Sequence, residues 1–127
     1  MHAVEVKRLN ILVADDQASN ATTVEFVLKQ AGHNVAIVRD GSDALSAITA
    51  SPDQFDLLIT DHAMKQMDGL ELVKALQGKS FGGGILVLSA YLTSSVRRAY
   101  QSLGVKHFMD KPFELDELRE AVNAVSK

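Results

Sequence analysis

The chain has no cysteine and no tryptophan, and it contains two prolines in 127 residues. Without cysteine there are no disulfides, thiolate metal sites or cysteine nucleophiles. No apolar run approaches the roughly 20 residues that span a bilayer. Asp15 and Asp16 also interrupt the first apolar segment too early for a signal peptide. We therefore expect a cytoplasmic protein that makes no membrane contact.

The chain also lacks a large excess of positive or negative charge. The 13 basic and 16 acidic residues are interspersed and leave a formal net charge of -3. Because nucleic-acid-binding domains usually carry a basic patch, we expect no nucleic acid to bind through this chain. The length and the 46% hydrophobic content fit one compact domain with a single core.

Short apolar runs alternate five times with segments in which apolar residues recur at helical spacing. This alternation predicts an α/β fold with a parallel sheet covered on both faces, since parallel strands need crossover connections. Right-handed crossovers favour a doubly wound, five-stranded, three-layer arrangement. Two Asp-Gly pairs, at 40–41 and 68–69, are predicted as turns. The predicted strands are 9–14, 35–38, 57–61, 85–88 and 105–109, and the predicted helices are 17–31, 44–48, 70–76, 96–103 and 115–125.

Polar residues follow four of the five predicted strands. Asp15 and Asp16 follow the first strand, Asp61 the third, Ser89 the fourth and Lys111 the fifth. The carboxyl ends of parallel strands share one edge of the sheet, so these side chains should meet there. Carboxylate oxygens are preferred ligands of Mg²⁺, and a cation would allow all three carboxylates to stay ionised. The pattern therefore predicts a Mg²⁺ site.

These residues, with several others, form a pattern that resembles the receiver domain of bacterial two-component response regulators. The further matching segments are Met64, Met67-Asp68-Gly69, Ala90, and Phe108 with Lys111-Pro112-Phe113. The resemblance covers nearly the whole chain and implies a flavodoxin-like sheet with strand order 2-1-3-4-5. It implies a receiver domain over residues 1–127 with no output domain in this chain. Whether the chain stands alone or belongs to a larger regulator stays open.

The resemblance also assigns a chemical role to each site residue. It implies that Asp61 is the phosphoacceptor, supplied by a sensor histidine kinase or a histidine phosphotransfer protein. Asp16, Asp61 and the backbone carbonyl of Ala63 would hold Mg²⁺ directly, and Asp15 would act mostly through water. Lys111 would neutralise charge on the transferring oxygens. The protein is then a signalling switch and not an enzyme in the usual sense.

A conformational switch is the second implication of the resemblance. Ser89 would donate a hydrogen bond to the new phosphoryl oxygen and move toward it, and Phe108 would turn inward into the vacated space. The change would alter a face built from the fourth helix, fifth strand and fifth helix, which an unidentified downstream protein would bind. A homodimer formed on activation is another partner that the resemblance allows. The Lys111-Pro112 peptide is usually cis in this family.

Three residues near the site depart from the family pattern or adjust it. Lys65 replaces a usual proline, which should free the loop backbone and add a positive charge. Ala63 offers no side chain to orient an attacking water, and Tyr91 is large enough to shield a phosphoryl group. We expect these modulators to give a long-lived phosphorylated state.

Each residue taken alone has a plainer interpretation. An aspartate such as Asp61 often caps a helix, Asp15 or Asp16 could be the N-cap of the first helix, and Phe108 could simply pack in the core. The four histidines lack zinc-like spacing and should be surface or packing residues.

Three other functions fit the same architecture. A phosphoaspartyl hydrolase would need a second aspartate where Ala63 stands. A flavodoxin-type redox protein would need Gly, Ser or Thr after the first strand, where this chain has two anions. A receiver-like docking module that works without phosphorylation stays open as an alternative.

Overall fold

The computed structural model describes residues 7–125 and contains a five-stranded sheet in which all neighbouring strands are parallel. The strands are β1 (Asn10–Ala14), β2 (Asn34–Val38), β3 (Leu57–Asp61), β4 (Gly84–Ser89) and β5 (His107–Asp110). Their order in the sheet, β2-β1-β3-β4-β5, confirms the order implied by the family resemblance. The apolar runs of β1, β3 and β4 are mostly buried, as expected for strands covered on both faces, whereas the edge strands β2 and β5 are mostly half-buried.

Five helices cover the two faces of this sheet and give the predicted three layers. The helices are α1 (Ala18–Gln30), α2 (Gly41–Ala50), α3 (Gly69–Leu76), α4 (Ser94–Ser102) and α5 (Leu115–Val125). The apolar residues of α1 and α5 share one core cluster with Ile11, Val13 and Ile59. Those of α2, α3 and α4 form two clusters against the opposite face, around Leu12 and Val87.

The two Asp-Gly pairs begin helices, so their interpretation as turns between elements is wrong. The Asp40 side chain accepts a hydrogen bond from the backbone N–H of Asp43, and Gly41 is the first residue of α2. Asp68 accepts from the N–H of Glu71, whose carboxylate accepts in return from the N–H of Asp68. Such a reciprocal capping box satisfies N–H groups that a helix start leaves without partners.

The N-cap interpretation of Asp15 and Asp16 is also wrong, because the N-cap residue of α1 is Gln17. The Lys111-Pro112 peptide is cis, as the family resemblance implied. Within the described residues, no helix is long and apolar enough to cross a membrane.

The carboxyl ends of β1, β3, β4 and β5 lie at one edge of the sheet. Asp61 and Ser89 are the last residues of β3 and β4, and Asp15 directly follows β1. Lys111 directly follows β5, and its backbone N–H donates to the Ser89 carbonyl at 2.8 Å. Strand register alone therefore brings four of the predicted site residues to the same edge.

Candidate functional site

Three carboxylates meet at the carboxyl edge of the sheet. One oxygen from each of Asp15, Asp16 and Asp61 can be chosen so that all three lie within 4.8 Å of one another. Asp15 and Asp61 are buried, at 1% and 6% exposure, and Asp16 is half-buried. Like charges this close and this poorly hydrated repel one another, which is unfavourable unless a cation neutralises them.

Lys111 supplies one positive charge to this cluster. Its Nζ donates a hydrogen bond to Oδ2 of Asp61 at 3.0 Å and lies 3.7 Å from Oδ2 of Asp15. Its side chain is 17% exposed, so the ammonium is largely withdrawn from water. Three carboxylates and one ammonium leave the cluster with excess negative charge when all are ionised.

Asp15 has one carboxylate oxygen that could serve as a ligand of a cation. Its Oδ1 accepts from the backbone N–H of Gln17 at 2.9 Å, whereas its buried Oδ2 has no hydrogen-bond partner within residues 7–125. Burial raises the pKa of Asp15, and the negative charges of Asp61 and Asp16 add to this, while the Gln17 N–H and Lys111 oppose it. An unsatisfied carboxylate oxygen beside two more carboxylates is the donor set of a hard cation such as Mg²⁺.

The loop after Asp61 contacts the cluster through its backbone. The N–H of Lys65 donates to Oδ2 of Asp16 at 3.2 Å, and the N–H of Met67 donates to the Lys65 carbonyl at 2.8 Å. Gln66, between them, has a φ of 69°, in the left-handed region. A proline at position 65 would have no N–H, so this bond to Asp16 depends on the lysine that replaces it, and the expected freedom of the loop backbone stays a prediction.

Ser89 is buried at the end of β4, and its hydroxyl bonds to the following loop. Its Oγ donates to the Tyr91 carbonyl at 2.8 Å and accepts from the Tyr91 N–H at 3.0 Å. A hydroxyl has one hydrogen to donate, so here it is used by Tyr91. Ser89 must give up the Tyr91 carbonyl before it can donate to any other group.

The remaining predicted residues lie around the cluster. Ala63 is exposed in the loop after β3, and the Tyr91 side chain is exposed at 76%. Phe108 is half-buried on β5, and its ring contacts α4: the Tyr100 ring lies edge-on at 5.9 Å, and the Arg97 guanidinium lies 4.5 Å from its centroid.

Sequence reasoning missed a contact between His62 and Tyr100. Nδ1 of His62 and the Tyr100 hydroxyl share a hydrogen bond of 2.6 Å, and the two rings meet edge-on at 5.6 Å. Tyr100 appears in the sequence only as an apolar helix position, and 38 residues separate it from His62. No local spacing links the two, so no sequence signal could have found the pair. Of the other histidines, His33 is buried and His107 half-buried, and His2 lies outside the described residues.

Comparison with known proteins gives consistent matches. A sequence model of the response regulator receiver domain matches residues 11–123. The transcriptional regulatory protein ZraR of Salmonella typhimurium is 33% identical over 117 residues, covering 91% of this chain and 26% of ZraR. The response regulator MprA of Mycobacterium tuberculosis is 34% identical over 117 residues, covering 92% of this chain and 50% of MprA. The chain thus spans about a quarter to a half of the length of these two relatives.

A solved structure of the chemotaxis protein CheY4 of Vibrio cholerae has the same fold. The two structures align with a TM-score of 0.84 at 28% sequence identity, and the alignment covers 94% of this chain and 99% of CheY4.

Proposed function

The chain belongs to the receiver domain family of response regulators, the signalling switches of bacterial two-component systems, and we propose that Asp61 is its phosphoacceptor. The observation that carries this proposal is the position of Asp61. Its carboxylate is the one that both approaches two neighbouring aspartates and accepts a hydrogen bond from Lys111. A phosphoryl group on Asp61 would thus meet a cation site on one side and an ammonium on the other.

We infer that the acidic cluster holds Mg²⁺ through Asp16, Asp61 and the Ala63 carbonyl, with Asp15 contributing mostly through water. The fit rests on the unsatisfied buried oxygen of Asp15 and on the purely oxygen donor set. When bound, Mg²⁺ would neutralise charge on the transferring phosphoryl oxygens.

The protein groups then act mainly by position. An Asp61 oxygen forms a bond to phosphorus as the bond from phosphorus to the donor breaks, and a departing histidine nitrogen of the donor keeps the bonding electron pair. Lys111, 3.0 Å from Asp61 before transfer, would follow the added negative charge onto the phosphoryl oxygens. Ser89 would exchange the Tyr91 carbonyl for a phosphoryl oxygen, and the Tyr91 backbone would have to move with it.

The proposed output is a change at the face formed by α4, β5 and α5. Phe108 belongs to this face and would turn inward as Ser89 moves away. A histidine kinase or a histidine phosphotransfer protein would load Asp61, and a downstream protein or a second copy of the chain would bind the changed face. Ala63 has no side chain that could orient an attacking water, and the large Tyr91 side chain would shield the phosphoryl group. Both features would lengthen the life of the phosphorylated state.

Intact-mass spectrometry after incubation with Mg²⁺ and acetyl phosphate tests this proposal. We expect one added phosphoryl group on the unsubstituted protein, and none when Mg²⁺ is chelated or when Asp61 is replaced in Asp61→Asn. Asp56→Asn, which removes a carboxylate at the opposite end of β3, is the matched control and should still be loaded. A phosphorylation-independent docking module would show no added mass under any of these conditions.

A further inference from the structure

His62 directly follows the phosphoacceptor and is fixed to both neighbouring elements. Its backbone N–H donates to the Leu88 carbonyl of β4, and its carbonyl accepts from the N–H of Gly69 at the start of α3, both at 2.9 Å. Leu88 precedes Ser89, the residue proposed to move on loading. His62 therefore directly follows Asp61 and hydrogen-bonds to the residue before Ser89.

Tyr100 extends from α4 to this junction and is fully buried. Its hydroxyl bonds to His62 and also occupies the space above Gly69, where a Cβ would lie 2.5 Å from it. Burial raises the pKa of Tyr100, and the negative charges of Asp68 and Asp61 raise it further, so the phenol stays protonated. A buried phenol needs a hydrogen-bond partner, and His62 is the partner it has.

Tyr100 also contacts the proposed switch residue. Its ring lies edge-on to Phe108, and the guanidinium of Arg97, one turn earlier on α4, lies 4.5 Å from the Phe108 ring centroid. Four side chains in contact thus lead from the residue beside Asp61 to the outer surface of α4: His62, Tyr100, Phe108 and Arg97.

We propose that the His62–Tyr100 hydrogen bond is a tether that transmits movement at the end of β3 to α4 and to Phe108. This inference rests on the proposed function, because it presumes that Asp61 is loaded. The tether makes His62 and Tyr100 positioning residues, which act through each other and set how strongly loading of Asp61 changes α4. It supplies a second route to the face, beside the one through Ser89.

A physical reason favours a tether over simple packing. Coupling between two sites requires an element with two states whose populations the remote event changes. The element proposed here is α4, which is joined to the site by a short polar bond as well as by apolar contact. Apolar contacts tolerate sliding, whereas a 2.6 Å hydrogen bond is lost within a small displacement. Tyr100 must therefore follow His62 or lose its partner in a buried environment.

Backbone NMR during titration with Mg²⁺ and beryllofluoride tests the tether in Tyr100→Phe, which removes the hydroxyl and keeps the ring. We expect signals of Asp61, Ser89 and Lys111 to shift as in the unsubstituted protein. Signals of α4 and Phe108 should shift much less, since losing one buried hydrogen bond changes a two-state population by roughly 3- to 10-fold. His62→Phe should give the same pattern, and the double variant should add nothing to either single one.

The matched control is Ser102→Ala, which removes a hydroxyl of the same helix whose hydrogen bond, among residues 7–125, is to the Ala99 carbonyl within the helix. It should leave the α4 response complete. If Tyr100→Phe or His62→Phe lowers thermal stability but keeps the complete α4 response, the pair merely packs and the tether is wrong. No response even in the unsubstituted protein would instead overturn the proposed function, and the tether with it.

Discussion

Asp15 combines a buried carboxylate oxygen that lacks a hydrogen-bond partner within residues 7–125 with two neighbouring negative charges. Asp15→Asn removes one of three repelling charges, so we expect the metal-free protein to gain about 1 kcal/mol of unfolding free energy. The same change should weaken stabilisation by Mg²⁺. Thermal unfolding with and without Mg²⁺ measures both effects. A lower melting temperature for metal-free Asp15→Asn would contradict this account of the cluster.

Two variants at position 65 separate the effect of the lysine charge on Mg²⁺ binding from the effect of the backbone N–H. Lys65→Pro removes the N–H that donates to Asp16, whereas Lys65→Ala keeps it and removes only the charge. If the bond orients Asp16 for the cation, Lys65→Pro should bind Mg²⁺ several-fold more weakly, and Lys65→Ala should change affinity little or raise it. Calorimetric titration of both variants checks this, and equal affinities would show that the bond has no role in metal binding.

The burial of His33, a residue far from the site, predicts that the stability of the protein depends on pH. Its Nδ1 accepts the backbone N–H of Leu9 at 3.0 Å, and burial lowers its pKa from the ordinary 6.5. Between the lowered pKa of the folded protein and 6.5, His33 is protonated in the unfolded chain but not in the folded protein. The free energy of unfolding therefore keeps its full value above pH 6.5 and falls as the pH drops below it. The slope can reach about 1.4 kcal/mol per pH unit.

Urea unfolding between about pH 7.5 and 5.5, around the ordinary histidine pKa, measures this dependence. His33→Gln keeps an acceptor for Leu9 and has no proton to bind, so its stability should vary less over this range. If the free energy of unfolding of His33→Gln varies with pH as steeply as that of the unsubstituted protein, other groups cause the dependence.

At the scale of elements, the capping box of α3 connects helix stability to the site. Asp68 and Glu71 satisfy each other's backbone N–H groups, and Gly69, which follows Asp68, bonds to His62 beside the proposed phosphoacceptor Asp61. Asp68→Ala should therefore cost about 1 kcal/mol. Asp68→Asn keeps a side-chain acceptor and should lose only a few tenths of that amount. Chemical denaturation compares the two, and equal losses would show that charge and not capping matters at this position.

Element types were predictable because apolar periodicity decides them. The run at Leu57–Asp61 is too short and too continuous for an amphipathic helix, and α5 repeats its apolar residues at helical spacing. Helix starts were less predictable, because Asp-Gly is favoured both in turns and at N-caps. What decides is whether an apolar helical face follows within one turn, and at Asp40 and Asp68 it does.

At the scale of the whole molecule, parallel topology brings distant residues to one edge, and this is why the strand pattern predicted which side chains would lie close together there. Asp15, Asp61, Ser89 and Lys111 each sit at or just after a strand end, so their meeting follows from the strand pattern alone. The Lys65 bond to Asp16 and the His62–Tyr100 pair could not be predicted in this way. They depend on loop conformation and on how α4 packs, which no local pattern encodes.

Phosphorylation of Asp61 is proposed to change the face built from α4, β5 and α5. The most direct measurement is backbone NMR of the unsubstituted protein with Mg²⁺ and beryllofluoride, compared with Asp61→Asn. We predict shifts centred on Asp61 that extend through Ser89 to Phe108 and α4, and their complete loss in Asp61→Asn. Shifts confined to the carboxyl edge of the sheet, or an equal response in Asp61→Asn, would contradict the account.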